Sequence, residues 1–312
     1  MAAAQALPGR RVIVFASSIT DPELYRSCAE PGIRLAAEPD SEVIANAAAG
    51  SIFRSYNLIM DSVAEREDLE ALVLLHQDSE LASPDFCATL RRALSDPDVG
   101  VVGCVGAVGV RSIAWWEGSV TWASFTHRYR ELGGGELPAL SWETDKLPAF
   151  AQTGEVDTVD GFVLALSPWV VRNLRFDESL GLLHGYDFDF CLQVRDAGRK
   201  VVTADFRVVH HHSLELVSNP ETWLAAHMRV AEKWEGRMPA TTMNGADWHQ
   251  RARRAEAEAS LARTQAVAAM LHADAEKTQL ERALAEVTES TSWRLTKPLR
   301  RLNTARRARR AR

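Results

Sequence analysis

Over residues 11–215 short apolar runs alternate with stretches of helical periodicity, and most of the runs end in small or acidic residues. Arg11 to Ser18 predicts a first buried strand after a frayed leader over 1–10. A short apolar patch leads into Glu38-Pro39-Asp40-Ser41, where a second strand is expected to end. From Ser41 to Ala64 the residues Val43, Ile44, Ala47, Ile52, Leu58, Ile59 and Val63 recur at helical spacing. Leu72 to Leu75 then run without interruption into His76-Gln77-Asp78-Ser79-Glu80. A buried parallel strand that delivers polar side chains at its carboxyl end has this pattern. Ser83-Pro84-Asp85 opens a helix that reaches about Ser95, and Val99 to Gly103 is another strand. Strands and helices alternating over short connections predict an α/β protein with a doubly wound, mostly parallel sheet flanked by helices.

The second half predicts a buried strand over 156–166 and an amphipathic helix opened by Asp187 and Asp189 and ended by Gly198. A strand over 200–203 and an extended segment, Arg207 to Ser213, follow. Between the halves, residues 110–155 show little periodicity and hold Trp115, Trp116, Trp122 and Trp142. Such a segment is either a loop or hairpin over a site, with tryptophans that stack on sugar rings, or a source of core side chains. Gly103, Gly106 and Gly109 are spaced GxxGxxG, which excludes the GxGxxG dinucleotide fingerprint and marks packing glycines.

Ligands of open α/β sheets bind beyond the carboxyl ends of the strands, so the polar strand ends carry the candidate chemistry. If the strand continues through Glu80, the Asp78 and Glu80 carboxylates share one side and suit a hard divalent cation. A solvated acidic turn is the other reading. Asp40 either accepts hydrogen bonds from a base or ribose or belongs to a Pro-Asp-Ser turn. Asp187 and Asp189 stand where the helix dipole stabilises carboxylates whatever their function. His210, His211 and His212 project to alternate faces of an extended segment, as metal ligands or as ordinary histidines.

The chain is 46% hydrophobic and 25% charged with a net charge of −6, the composition of a globular protein and not of a nucleic-acid binder. Cys28, Cys87, Cys104 and Cys191 are scattered with no CxxC pair, as in reduced thiols of a cytoplasmic protein. The amino terminus lacks a signal-peptide pattern, and no run approaches the ~18 apolar residues of a membrane span. After residues 216–245, expected to pack as helices on the core, the glycine- and proline-free stretch 247–290 predicts one long helix beginning near 246. That helix is a candidate coiled coil for homo-oligomers. Residues 291–312 hold nine of the 36 basic residues and none of the 42 acidic ones. With Trp293, Leu295, Leu299 and Leu302 they are either an anchor for an anionic membrane surface or a solvated tail.

Taken in order, Ser55-Tyr56-Asn57, Leu74 to Leu81, Val159-Asp160-Gly161-Phe162, Tyr186 to Gly198 and Val208 to Ser213 resemble the GT-A-fold glycosyltransferases of family 2. The chain looks closest to the bacterial glycosyltransferase-like branch with StrF-type streptomycin-biosynthesis domains. The resemblance covers about residues 11–215 and implies a GT-A fold and a nucleotide-sugar donor. It also implies a divalent metal, Mn²⁺ or Mg²⁺. Asp78 matches the metal-binding carboxylate of the family's DxD-type motif, with Glu80 in place of the second Asp, and His210 or His212 is a further metal ligand. Asp187 takes the place of the catalytic base, and Tyr186 stands where many relatives have Glu. Asp40, Asn57, Asp78 and Asp160 fall on the donor side, and Trp116, Tyr186 and Asp189 on the acceptor side. The implied activity is inverting transfer of a sugar to a saccharide or lipid-linked acceptor for a bacterial surface polysaccharide or related glycoconjugate. The alternatives are a non-catalytic GT-A scaffold that binds nucleotide or glycan, and a nucleotidyltransferase.

Overall fold

A computed structural model of the chain describes residues 11–110, 119–122, 125–129, 135–136, 153–211, 220–237, 273, 275–298 and 300. The chain divides into two compact units, Met1–Ala255 and Glu256–Arg312. The first begins β1 (Val12–Ile19), α1 (Pro22–Ser27), α2 (Ala29–Ala36), β2 (Glu42–Ala47), α3 (Ile52–Val63) and β3 (Leu69–Leu75). It continues with β4 (Ser79–Leu81), α4 (Phe86–Ala93), β5 (Val99–Gly103) and β6 (Val105–Val108). Short strands β7 (Ser119–Trp122), β8 (Phe125–Tyr129) and β9 (Gly135–Glu136) lie in the tryptophan-containing segment. Then come β10 (Glu155–Val156), β11 (Thr158–Val159), β12 (Val163–Leu166), α5 (Pro168–Asn173) and α6 (Tyr186–Asp196). Strands β13 (Lys200–Thr203) and β14 (Val208–His210) and helix α7 (Pro220–Lys233) complete the described part of this unit.

The central sheet has seven strands in the order β10-β13-β5-β12-β3-β1-β2. β1 pairs in parallel with β2 and β3, and β13 with β5, whereas β12 is antiparallel to both β3 and β5. Strand β1 shows why its sequence is a continuous apolar run. Val12, Val14 and Ala16 join Phe53, Ile59 and Phe190 in one core, while Ile13 and Phe15 join Ile33, Phe86 and Leu90 in the other. Helices cover both faces, so neither set of side chains meets water.

Three expected elements differ. The patch before Asp40 is helix α2, which buries Ala29, Ile33 and Ala36, and the second strand starts at Glu42 instead of ending near Ser41. β2 is an edge strand with mostly exposed side chains, so it carries no apolar run, and its alanines imitate a helix. The chain does not extend from β3 through Glu80. It turns at 76–78, where the Ser79 N–H donates to the His76 carbonyl at 3.1 Å, and β4 pairs with β14 in a second sheet. The single strand expected over 156–166 breaks into β10, β11 and β12. At one break the buried Asp157 carboxylate accepts the N–H groups of Gly109 (2.6 Å) and Val110 (3.0 Å).

In the second unit residues 275–289 form helix α8 and Thr291–Leu295 form α9, capped by the Ser290 hydroxyl. Residues 246–272 of the long helix expected over 246–290 lie outside the described residues. No helix among the described residues is long and apolar enough to cross a membrane.

Candidate active site

The β3–β4 turn and β14 bring His76, Asp78 and His210 together. β3 leaves the sheet at Leu75, the turn points Asp78 inward, and β14 pairs with β4 so that His210 lies opposite Ser79. Asp78 Oδ1 is 3.8 Å from His76 Nδ1 and 3.5 Å from His210 Nε2. One ligand atom from each residue lies within 4.8 Å of the other two. His210 is buried and its ring stacks on Phe162 at 4.5 Å. Burial alone would raise the Asp78 carboxyl, but His210 and His76 beside it outweigh burial and hold it well below the usual carboxylate range. Two imidazoles and an ionised carboxylate make a donor set that fits one divalent cation, and three protein ligands leave coordination positions for substrate or water.

His76 and Asp78 also line a pocket of about 650 Å³. Its other walls include Ser18 and Thr20 from the end of β1 and the loop after it, Ala48 and Ser51 between β2 and α3, and Tyr56. The pocket therefore opens beyond the carboxyl ends of β1, β2 and β3, the binding position of an open α/β sheet. The Gln77 carboxamide fixes one rim: its oxygen accepts the N–H groups of Thr20 and Asp21, each at 2.9 Å, and its nitrogen donates to the Thr20 hydroxyl at 2.7 Å.

Behind the cluster stand Asp160, in the turn between β11 and β12, and Asp187, in the first turn of α6. Gly185, with φ of 77°, makes the left-handed entry into that helix. Asp187 accepts the N–H groups of Gly161 and Phe188, both at 2.9 Å. Burial, then the Asp187 carboxylate, pushes Asp160 up to about 7 against the pull of His210. Burial also raises Asp187, opposed by the Phe188 N–H, the His227 ring and the Gly161 N–H. Tyr56, buried at the pocket wall, is raised by burial and then by Asp78 and Asp187, so its hydroxyl lies in the field of both carboxylates.

Residues 14–231 match the family model described as "Glycosyltransferase like family". The chain belongs to this family. The streptomycin biosynthesis protein StrF of Streptomyces griseus is 30% identical over 194 residues, 61% of this chain and 63% of StrF. The match thus spans less than two thirds of that relative's length. Among solved structures, A197 from STIV is similar over 65% of this chain and 94% of its own, with 14% identity and a TM-score of 0.37. GalNAc-T7 with UDP, GalNAc and Mn²⁺ is similar over 72% of this chain and 48% of its own, with 13% identity and a TM-score of 0.46. Mannosyltransferase PcManGT from Pyrobaculum calidifontis, in complex with GDP-Man and Mn²⁺, is similar over 91% and 82%, with 14% identity and a TM-score of 0.42. The fold of this glycosyltransferase-like chain is mixed α/β, built on its mostly parallel seven-stranded sheet.

The residues singled out in the glycosyltransferase-like sequence divide into several groups. Asp78, His210, Asp160, Asp187 and Tyr186 converge on one site. Asp40 does not, because it precedes the amino end of β2 while the pocket lies past the carboxyl end. Asn57 points away from the pocket: its carboxamide accepts the Phe176 N–H at 2.8 Å and donates to the Phe176 carbonyl at 2.9 Å and to Glu178 at 3.1 Å. Glu80 stands outside the cation cluster and meets His211 Nε2 at 3.1 Å, because the turn at 76–78 separates it from Asp78. Asp189 is buried on the other side of α6, where it accepts from Trp234 Nε1 (2.7 Å) and Gln193 (2.7 Å) and pairs with Lys233 (2.8 Å). These contacts leave it a core partner of α7 and not an acceptor contact. Tyr186 is also buried, with its hydroxyl on His76. Trp116 and His212 lie outside the described residues. His76 was not among the expected ligands, although it sits two residues before Asp78, the same separation that singled out Glu80. Tyr56, and not its neighbour Asn57, lines the pocket, and His227 lies on α7, beyond the motifs.

Proposed function

We propose that this chain transfers a sugar, of hexose type, from a nucleotide-sugar donor to an acceptor hydroxyl with inversion at the anomeric carbon. The observation that carries the reading is a cation-type donor set, two of whose members, His76 and Asp78, line a pocket at the carboxyl end of the sheet, with a raised carboxylate pair buried beside it. His76, Asp78 and His210 would hold the cation, and their mixed nitrogen and oxygen donors favour Mn²⁺ over Mg²⁺, which prefers oxygen alone. When bound, the cation stabilises the negative charge that develops on the departing diphosphate. The walls at Ser18, Thr20, Ser51 and Tyr56 receive the nucleotide and exclude water from it.

Asp187 accepts the proton of the acceptor hydroxyl as its oxygen bonds to the anomeric carbon and the bond from that carbon to the diphosphate oxygen breaks. A single displacement of this kind inverts the centre. Burial raises Asp187 and Asp160, so the ionised carboxylate of the pair is a stronger base than an ordinary surface aspartate. Asp187→Asn should lower kcat for release of nucleoside diphosphate by about 10²–10⁴-fold, the usual worth of a positioned base, and leave donor affinity nearly unchanged. Transfer that survives while donor affinity is lost would overturn the assignment.

The acceptor we propose is a saccharide or a lipid-linked saccharide in the synthesis of a bacterial surface polysaccharide or related glycoconjugate. The enzyme would work in the cytoplasm against the inner face of the membrane. In support, the second unit exposes Trp293 and Leu295 in a run of basic residues. Exposed Leu280, Leu284 and Val287 on α8 recur at helical spacing, which supports self-association through that helix.

A further inference from the structure

We infer that Tyr186 is a positioning residue for the cation cluster: its hydroxyl holds one side of the His76 ring so that the other nitrogen faces Asp78. The inference rests on the proposed role of His76, Asp78 and His210 as cation ligands. The two His76 nitrogens have different neighbours. Nε2 is 2.5 Å from the Tyr186 hydroxyl, while Nδ1 is 3.8 Å from Asp78 Oδ1. The second distance is too long for a hydrogen bond but suits two atoms that share an ion. A neutral imidazole binds a cation through its bare nitrogen and carries its proton on the other. With the proton on Nε2 and donated to Tyr186, Nδ1 carries the ring's lone pair on the side that faces Asp78. His210 presents Nε2 to the same Asp78 oxygen at 3.5 Å, so the ligand atoms of both rings meet one carboxylate oxygen.

The Tyr186 hydroxyl has little freedom to do anything else. The side chain is 5% exposed, and its ring is enclosed by Phe53 (6.0 Å between centroids), Tyr56 (5.8 Å) and Phe176 (6.0 Å). Gly161 completes the enclosure, because a methyl group there would collide with the hydroxyl and the ring carbon that bears it. The Gly161 N–H donates to Asp187, the residue after Tyr186. One glycine therefore seats two consecutive residues at the start of α6, and through them the cation ligand His76 and the proposed base are held by the same helix turn. A shift of that turn would move both together.

The test measures the Mn²⁺ dissociation constant of the full chain by electron paramagnetic resonance of free Mn²⁺, for the wild type and for Tyr186→Phe. The phenylalanine keeps the ring packing and removes only the hydroxyl, so the metal-free melting temperature should stay close to that of the wild type. Mn²⁺ binding should weaken by about 10–100-fold, the usual effect of losing a partner that orients a ligand histidine. Equal affinity in both proteins would overturn the inference. A wild type that binds no Mn²⁺ would overturn the cation reading beneath it, which is a different result. Nitrogen-15 spectra of the metal-free wild type, with the His76 signals identified by their loss in His76→Asn, need no folded Tyr186 variant. They should show His76 protonated on Nε2, and a proton on Nδ1 would contradict the inference.

Discussion

Asn57 and Tyr56 are neighbours on α3, and the step of about 100° between successive helical residues sends them to opposite tasks. Tyr56 lines the pocket, whereas Asn57 ties α3 to the loop after α5 by three hydrogen bonds around Phe176 and Glu178. Asn57→Ala would leave the Phe176 N–H and carbonyl without those partners, at a cost of about 1–3 kcal/mol. Urea denaturation should show that loss while nucleotide affinity stays nearly unchanged. A loss of nucleotide affinity at unchanged stability would return Asn57 to the donor site. Asp78 and His210 were legible in the sequence because a carboxylate at a strand end and a histidine run in an extended segment are informative in themselves. The pairing of His76 with them was not, because it depends on the chain turning at 76–78, and the sequence also permits a continued strand. Glu80 was misplaced for the same reason.

At the scale of elements, legibility followed burial. β1, β3 and β5 have both faces covered, and their apolar runs mark them directly. β2 lies at the sheet edge with exposed side chains, so its segment carries only the helical spacing shared with α3, and Asp40 precedes the strand instead of ending it. The three-residue strand β4 is shorter than any periodicity can register, yet its pairing with β14 sets the position of His210. In the second unit Arg300 lies over the Trp293 ring at 3.6 Å, which places a cation beside an amphipathic aromatic, and each base near an anionic surface contributes ~1 kcal/mol. Removing residues 291–312 should therefore reduce co-sedimentation with phosphatidylserine-containing vesicles and weaken its salt dependence. Unchanged sedimentation would remove the membrane proposal and leave the transferase proposal intact.

For the whole molecule, the order of strands and helices was enough to expect an α/β sheet with its site at the carboxyl ends of the strands. The antiparallel β12 at the middle of that sheet was not legible, since a buried strand has the same composition in either direction. That reversal matters to the site, because the turn entering β12 carries Asp160 and Gly161 back to the mouth where β3 ends. The measurement that tests the central proposal most directly is thermal unfolding against a panel of nucleoside diphosphates and nucleotide sugars, with and without Mn²⁺. A ligand of the native state at 100 times its dissociation constant adds ~2.7 kcal/mol, which is visible as a higher melting temperature. One nucleotide class should raise the melting temperature, with a shift that requires Mn²⁺ and disappears in Asp78→Ala. No shift with any nucleotide, or a shift equal in Asp78→Ala, would contradict the proposal.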